Sequence, residues 1–405
     1  MKKYFVFLIV FFSFFVLCPS LYALNNWTIM IYFVGDDADL IQAQINAING
    51  LTKLGNRPNN YEIVILFKRP NQGALRLTFK DGKCPIEEKM GETNMGSPNT
   101  LWNFMKCVVT QHPAKQYALI IGSHGSGIYS WLGTGSATDK NPGAVDFNAD
   151  KFVAYDNAVK DCLTVFEVQS VLESFKSKLN AGRALNLLFF DCCLPGSVEA
   201  LYQLSQSAEV VVSSPERTII GGTPYVTIMS QLAGNPSLTP EQFGEIIAKS
   251  YMAHSNADAG GVMGAFRPAK SDRLIGAIDL FSIELLKAWQ SGNKIPLKNL
   301  MPYGSDGLYY DLGTILVALI NGNLSGISNG SAIKQAAQDV LEEIKQVNIG
   351  VWASGRYTKN NVVGISIAWP KREHYVQFHQ FYKTLAFSKA THWDEFLDSY
   401  FGLSQ

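Results

Sequence analysis

Five short apolar runs, separated by helix-length amphipathic segments, constrain this chain more than any other feature. Thr28–Val34 (TIMIYFV), Ile63–Phe67 (IVILF), Tyr117–Gly122, Leu185–Phe190 (LNLLFF) and Glu209–Val212 are nearly uninterrupted. Such runs suit strands covered on both faces. Between them, Asp39–Leu54 spaces Leu40, Ile41, Ile45, Ile48 and Leu51 along one helical stripe and closes at Gly55. Ser97-Pro98 reads as an N-cap with a first-turn proline, opening a helix through Leu101, Phe104, Met105 and Val108. Thr164-Val165-Phe166-Glu167 is a capping box for a helix reaching about Leu179. Strand–helix alternation of this kind predicts an α/β fold with a mainly parallel sheet and helices on both faces.

Past Asn256 the pattern loosens. Leu274–Ile278 and Gly364–Trp369 are predicted strands, Ser282–Trp289, Ala332–Val347 and Thr391–Tyr400 predicted helices, and Asn321–Gly330 a surface loop. The expected organisation is a main domain over 24–255 with an α/β subdomain over 256–405 packed on its sheet.

The first residues set the compartment. Lys2 and Lys3 precede the apolar run Tyr4–Leu17, which Ser13 alone interrupts. That run would span about 21 Å as a helix, short of the ~30 Å needed to cross a bilayer. Residues 1–23 therefore read as a signal peptide, with Ala23 before the cut. The expected location is secreted, periplasmic or at the cell surface, with no membrane span in the mature chain.

Charge excludes other classes. The 34 basic and 34 acidic residues cancel, which leaves no basic footprint for nucleic acid. Hydrophobic residues make up 47% of the chain, too many for disorder. Five cysteines follow the leader, an odd number far too sparse for a disulfide scaffold. One thiol is then either buried and inert or there to react.

Chemistry concentrates at two strand ends, where open α/β sheets place their sites. Tyr117–Gly122 runs into Ser123-His124-Gly125-Ser126-Gly127, and Leu185–Phe190 into Asp191-Cys192-Cys193-Leu194-Pro195-Gly196-Ser197. A cysteine before a helix N-terminus is favoured as thiolate. A histidine on a neighbouring strand end suits a general base and acid, and glycine beside it lets a backbone N–H approach a substrate carbonyl. The other histidines lack metal-ligand spacing. Asp36, Asp37 and Asp39 either cap a helix or bind Ca2+, capping being the commoner use. The chemistry requires no cofactor.

At these residues the chain resembles the clostripain family of cysteine peptidases, relatives of caspases, legumains and gingipains. Matching features run in order: Trp27-Thr28, Gly35-Asp36, Asn94-Met95-Gly96, Pro113 to Leu119, His124-Gly125-Ser126-Gly127, Tyr155-Asp156, Phe190-Asp191-Cys192-Cys193-Leu194, Ala277 to Leu280 and Gly364-Ile365-Ser366. The resemblance implies a caspase-like fold and hydrolysis of protein or peptide substrates. It implies His124 as catalytic histidine and Cys193 as nucleophile. With those roles the N–H groups of Gly125 and Cys193 are the expected oxyanion donors, since Gly125 has no Cβ to obstruct a substrate carbonyl. Asp191 would accept the Arg or Lys before the cleaved bond, as a carboxylate suits either cation. Self-cleavage is expected in the loop 134–151, after Lys140 or Lys151. Pro195 and Ile128 depart from the family pattern, as does Gly221-Gly222-Thr223 before Pro224-Tyr225, where relatives often carry a second acid. The alternative is a catalytically inactive binding protein on the same scaffold.

Overall fold

The computed structural model describes residues 24–403 except 36, 55–60, 70–72, 80–84, 129–151, 256–259, 294, 296–299, 305–306 and 360–361. The expected leader (1–23) and both processing lysines, Lys140 and Lys151, lie outside the described residues.

Strand β1 (Asn25–Val34) leads into helix α1 (Ala38–Thr52), then β2 (Tyr61–Arg69) and a hairpin of β3 (Gly73–Phe79) and β4 (Ile86–Gly91). Helix α2 (Pro98–Gln111), β5 (Ala114–Gly122), the short pair β6 (Ala154–Asp156) and β7 (Asp161–Leu163), α3 (Val165–Lys178) and β8 (Leu185–Asp191) follow. Then come α4 (Val198–Gln203), β9 (Ala208–Ser213), α5 (Tyr225–Gly234), α6 (Pro240–His254) and β10 (Val262–Phe266). The rest comprises α7 (Ser271–Gln290), β11 (Pro302–Tyr303), β12 (Tyr309–Asp311), α8 (Leu312–Asn321), α9 (Gly330–Val347), β13 (Asn348–Ala353), β14 (Ser366–Ala368), α10 (Arg372–Tyr382), α11 (Ala386–Ala390) and α12 (Trp393–Phe401).

Nine strands form one sheet in the order β13-β10-β9-β8-β5-β1-β2-β3-β4. The middle five are parallel, while β3 and β4 at one edge and β10 and β13 at the other run antiparallel. Because side chains alternate along a strand, β1 feeds two cores. Trp27, Ile29, Ile31 and Phe33 pack with Leu51 of α1, Ile228 of α5 and Phe243 of α6. Met30, Tyr32 and Val34 pack on the other face with Leu101 of α2 and Val168 of α3. Helices on both faces are the expected α/β architecture.

Leu274–Ile278 is a correction: it is not a strand but the first part of α7. Its apolar residues continue as Phe281, Leu285 and Ala288, all buried at helical spacing. The edge strand β4 escaped the sequence reading because it (IEEKMG) is charged and exposed along its whole length. Residues past 256 reach both the sheet, through β10 and β13, and the turn after β8. There Ser366 bridges Ser197, and Glu199 accepts from Ala368 N–H and Tyr382 Oη.

Candidate active site

The strand register brings the two strand ends together. Gly122 of β5 lies opposite Asp191 of β8, so His124 and Cys193 each follow two residues beyond that pair on adjacent parallel strands. Ser123 N–H donates to Asp191 O at 3.3 Å and ties the two turns. The backbone turns sharply after the cysteine: Leu194 has φ 70°, a left-handed conformation costly for a bulky side chain. Leu194 N–H donates to Glu216 O, which holds this turn. Gly125 lies so close that a Cβ built on it would meet Cys193 O at 2.7 Å and Cys192 Sγ at 2.8 Å. Its lack of a side chain is therefore what lets the histidine turn sit against the cysteine turn.

The adjacent cysteines have different surroundings. Cys192 is fully buried in the core, and burial drives its thiol well above the ordinary range. Cys193 is partly accessible and faces Thr218, whose N–H donates to Sγ at 3.3 Å and whose hydroxyl lies 3.5 Å away. Burial raises the Cys193 thiol, and the two Thr218 contacts and the Arg217 charge pull it part of the way back. No disulfide joins the described cysteines: Cys107, Cys162, Cys192 and Cys193 are all free.

His124 meets a residue that the sequence assigned elsewhere. Its Nε2 lies 2.5 Å from Asp37 Oδ2, while Asp37 Oδ1 accepts from Leu40 N–H at 2.8 Å and caps α1. Burial would raise the Asp37 carboxyl, but its hydrogen bonds with His124, Leu40 and Asp39 outweigh that and hold it below its ordinary value. Capping is thus the observed use of Asp37, and Asp36 lies outside the described residues. Among the described residues, no group of three or more His, Cys, Asp and Glu side chains is placed to hold a metal ion.

Asp191 receives two hydroxyls, Thr223 Oγ1 at 2.7 Å and Tyr225 Oη at 2.6 Å. Burial raises its carboxyl despite both bonds. The departure Gly221-Gly222-Thr223 therefore supplies a hydroxyl to Asp191 in place of a second acid. Glu216 was invisible as a functional residue in the sequence. It is buried, accepts from the N–H groups of Arg217 and Gly304, and pairs with Tyr357 and Arg356 from the far end of the chain. It thereby anchors the segment that carries Thr218 over Cys193.

The model of the clostripain family matches residues 31–400. The chain belongs to that family, one of cysteine-type endopeptidases. Clostripain of Hathewaya histolytica is 31% identical over 164 residues, 37% of this chain. The matched stretch spans 27% of that relative's own length. Among solved structures, an inactive zymogen C11 protease from Parabacteroides distasonis superposes with a TM-score of 0.66 at 19% identity, over 91% of this chain and 98% of its own. A secreted C11 cysteine protease from Bacteroides thetaiotaomicron, in complex with an irreversible peptide inhibitor, gives 0.65 at 17% identity, over 92% and 100%. At such identities the two structures establish the fold alone, a mainly parallel central sheet with helices on both faces.

Proposed function

We propose that this chain is an exported cysteine endopeptidase with Cys193 as nucleophile and His124 as its acid–base partner. The carrying observation is the register of β5 on β8, which sets the two residues at equal steps beyond adjacent strands. In this reading His124 takes the proton from Cys193 Sγ, and the thiolate attacks the scissile carbonyl. The N–H groups of Gly125 and Cys193 hold the oxyanion. Collapse breaks the C–N bond, His124 protonates the departing amine, and water then hydrolyses the thioester. Cys193→Ala and His124→Ala should each lower peptidase turnover by orders of magnitude, whereas Cys192→Ala should retain it. Activity lost in Cys192→Ala and kept in Cys193→Ala would move the nucleophile by one residue.

Three finer features belong to the same proposal. Cleavage follows Arg or Lys, with Asp191 as charge partner. The chain is cut by its own activity after Lys140 or Lys151. Residues 1–23 direct export, which agrees with the absence, among the described residues, of any helix long and apolar enough to cross a membrane. No step is routed through Ca2+. The second reading, an inactive scaffold, draws on one observation: burial makes the Cys193 thiol harder to ionise. Reaction of Cys193 with an electrophilic peptide separates the two.

A further inference from the structure

We infer that Asp37 is a positioning residue for His124, a third member of the site. This inference rests on the Cys193–His124 reading and deepens it. In the strand order, β1 passes to β2 on one side while β5, β8 and β9 follow on the other. The crevice beyond the carboxyl ends of β1 and β5 is therefore a switch point, where two chain segments diverge to opposite faces and leave room for a site. Asp37 leaves β1 at that crevice and His124 leaves β5. Their side chains meet there, Nε2 to Oδ2 at 2.5 Å.

Two further contacts keep that meeting in place. Asp37 Oδ1 is occupied by Leu40 N–H, so the start of α1 orients the carboxylate and turns Oδ2 to the imidazole. Gln44, about two turns beyond Asp37 on α1, donates from Nε2 to Gly122 O at 3.1 Å and ties the same helix to the end of β5. The geometry assigns Nε2 to Asp37, so the Cys193 proton is taken at Nδ1 and returned from Nδ1 to the leaving amine. The positive charge that forms on the ring in between lies against the carboxylate. Both side chains are partly open to solvent, 33% for His124 and 46% for Asp37, so charge attraction is screened and ring orientation is the main effect.

The alternative account of Asp37 is a helix cap and nothing more, and the two are separable. Serine caps a helix as well as aspartate does but is too short to hold the ring. The full chain is assayed with an Arg-ending fluorogenic peptide and, in parallel, with casein. Asp37→Ser should lower kcat about a hundredfold with KM and the thermal midpoint unchanged, the scale of a misplaced catalytic group. Asp37→Asn, whose amide oxygen still accepts from Nε2–H, should recover part of that loss. Wild-type kcat in Asp37→Ser overturns the inference, as does a loss of kcat that follows a fall in thermal midpoint across both variants. Full activity in Cys193→Ala or His124→Ala instead overturns the underlying dyad, which keeps the two failures distinct.

Discussion

Thr218 meets the Cys193 sulfur through three groups: its N–H at 3.3 Å, its hydroxyl at 3.5 Å and its carbonyl, which accepts from the thiol at 3.9 Å. Hydrogen bonds to a thiolate favour the charged form and oppose the burial that raises the thiol. Thr218→Val keeps the shape and the N–H but removes the hydroxyl. The pH at which Cys193 reaches half its maximal alkylation rate should therefore move upward. Rates of iodoacetamide labelling against pH measure it, and a midpoint that stays or falls would show that the hydroxyl does not stabilise the thiolate.

Gly125→Ala should cripple turnover although only one methyl is added. That Cβ would meet the backbone of Cys193 and the side chain of Cys192, neither of which can yield without moving the nucleophile. Loss of one oxyanion donor costs roughly 10²–10³ in kcat, and a displaced turn should cost at least as much. Circular dichroism checks the fold alongside the kinetics. Near-normal kcat in a folded variant would remove Gly125 from the oxyanion role.

Asp191→Asn should weaken kcat/KM for Arg substrates about ten- to a hundredfold, the worth of a charged hydrogen bond, and much less for neutral ones. Thr223 and Tyr225 hydroxyls each donate to one carboxylate oxygen; in the variant one can still donate to the amide oxygen, while the other must turn to accept from the amide NH2. A peptide-library profile of the unmodified enzyme gives the direct check. Dominance of acidic or apolar residues at the cleaved position would refute the basic preference.

Self-processing should cut the wild-type chain within 134–151 and leave Cys193→Ala intact. The segment's flanks lie beside the site: Ser126 N–H donates to Phe152 O at 2.9 Å, and Phe152 N–H to Ser126 Oγ at 3.1 Å. Denaturing gels and N-terminal sequencing read the outcome. A fully active enzyme that remains one chain after long incubation would end the proposal.

Glu199 yields a pH prediction away from the chemistry. Burial raises its carboxyl to about 7, although hydrogen bonds from Ala368 N–H, its own backbone N–H and Ser197 oppose the rise. The folded state thus favours the protonated acid, and this contribution to stability is full below its ordinary value near 4.5 and lost as pH rises through about 7. Glu199→Gln carries no charge to bury. Its thermal midpoint relative to wild type should rise between those two pH values, and scanning calorimetry at several pH values would detect it. A flat difference would show that Glu199 does not titrate in the window.

Much of this protein is set by residues adjacent in its sequence. Period and length alone mark β1, β2, β5, β8 and β9, because a strand buried on both faces must be apolar at nearly every position. The same reading placed His124 and Cys193 at strand ends, since a turn after a strand is covalently bound to sit at the sheet's rim. It failed at Leu274–Ile278, where a five-residue window cannot distinguish a strand from the opening of a longer helix.

What the tertiary structure alone decided is which distant residues meet. Asp37 and His124 lie 87 positions apart, and their contact depends on β1 and β5 being neighbours at the switch point, a strand order that no local pattern encodes. Thr218 faces Cys193 because Glu216, two residues earlier, is held by Tyr357 and Arg356 about 140 positions away. The sequence determined which groups can react. Packing decided which of them are oriented, covered or left to act, because those properties depend on the surroundings that the fold assembles.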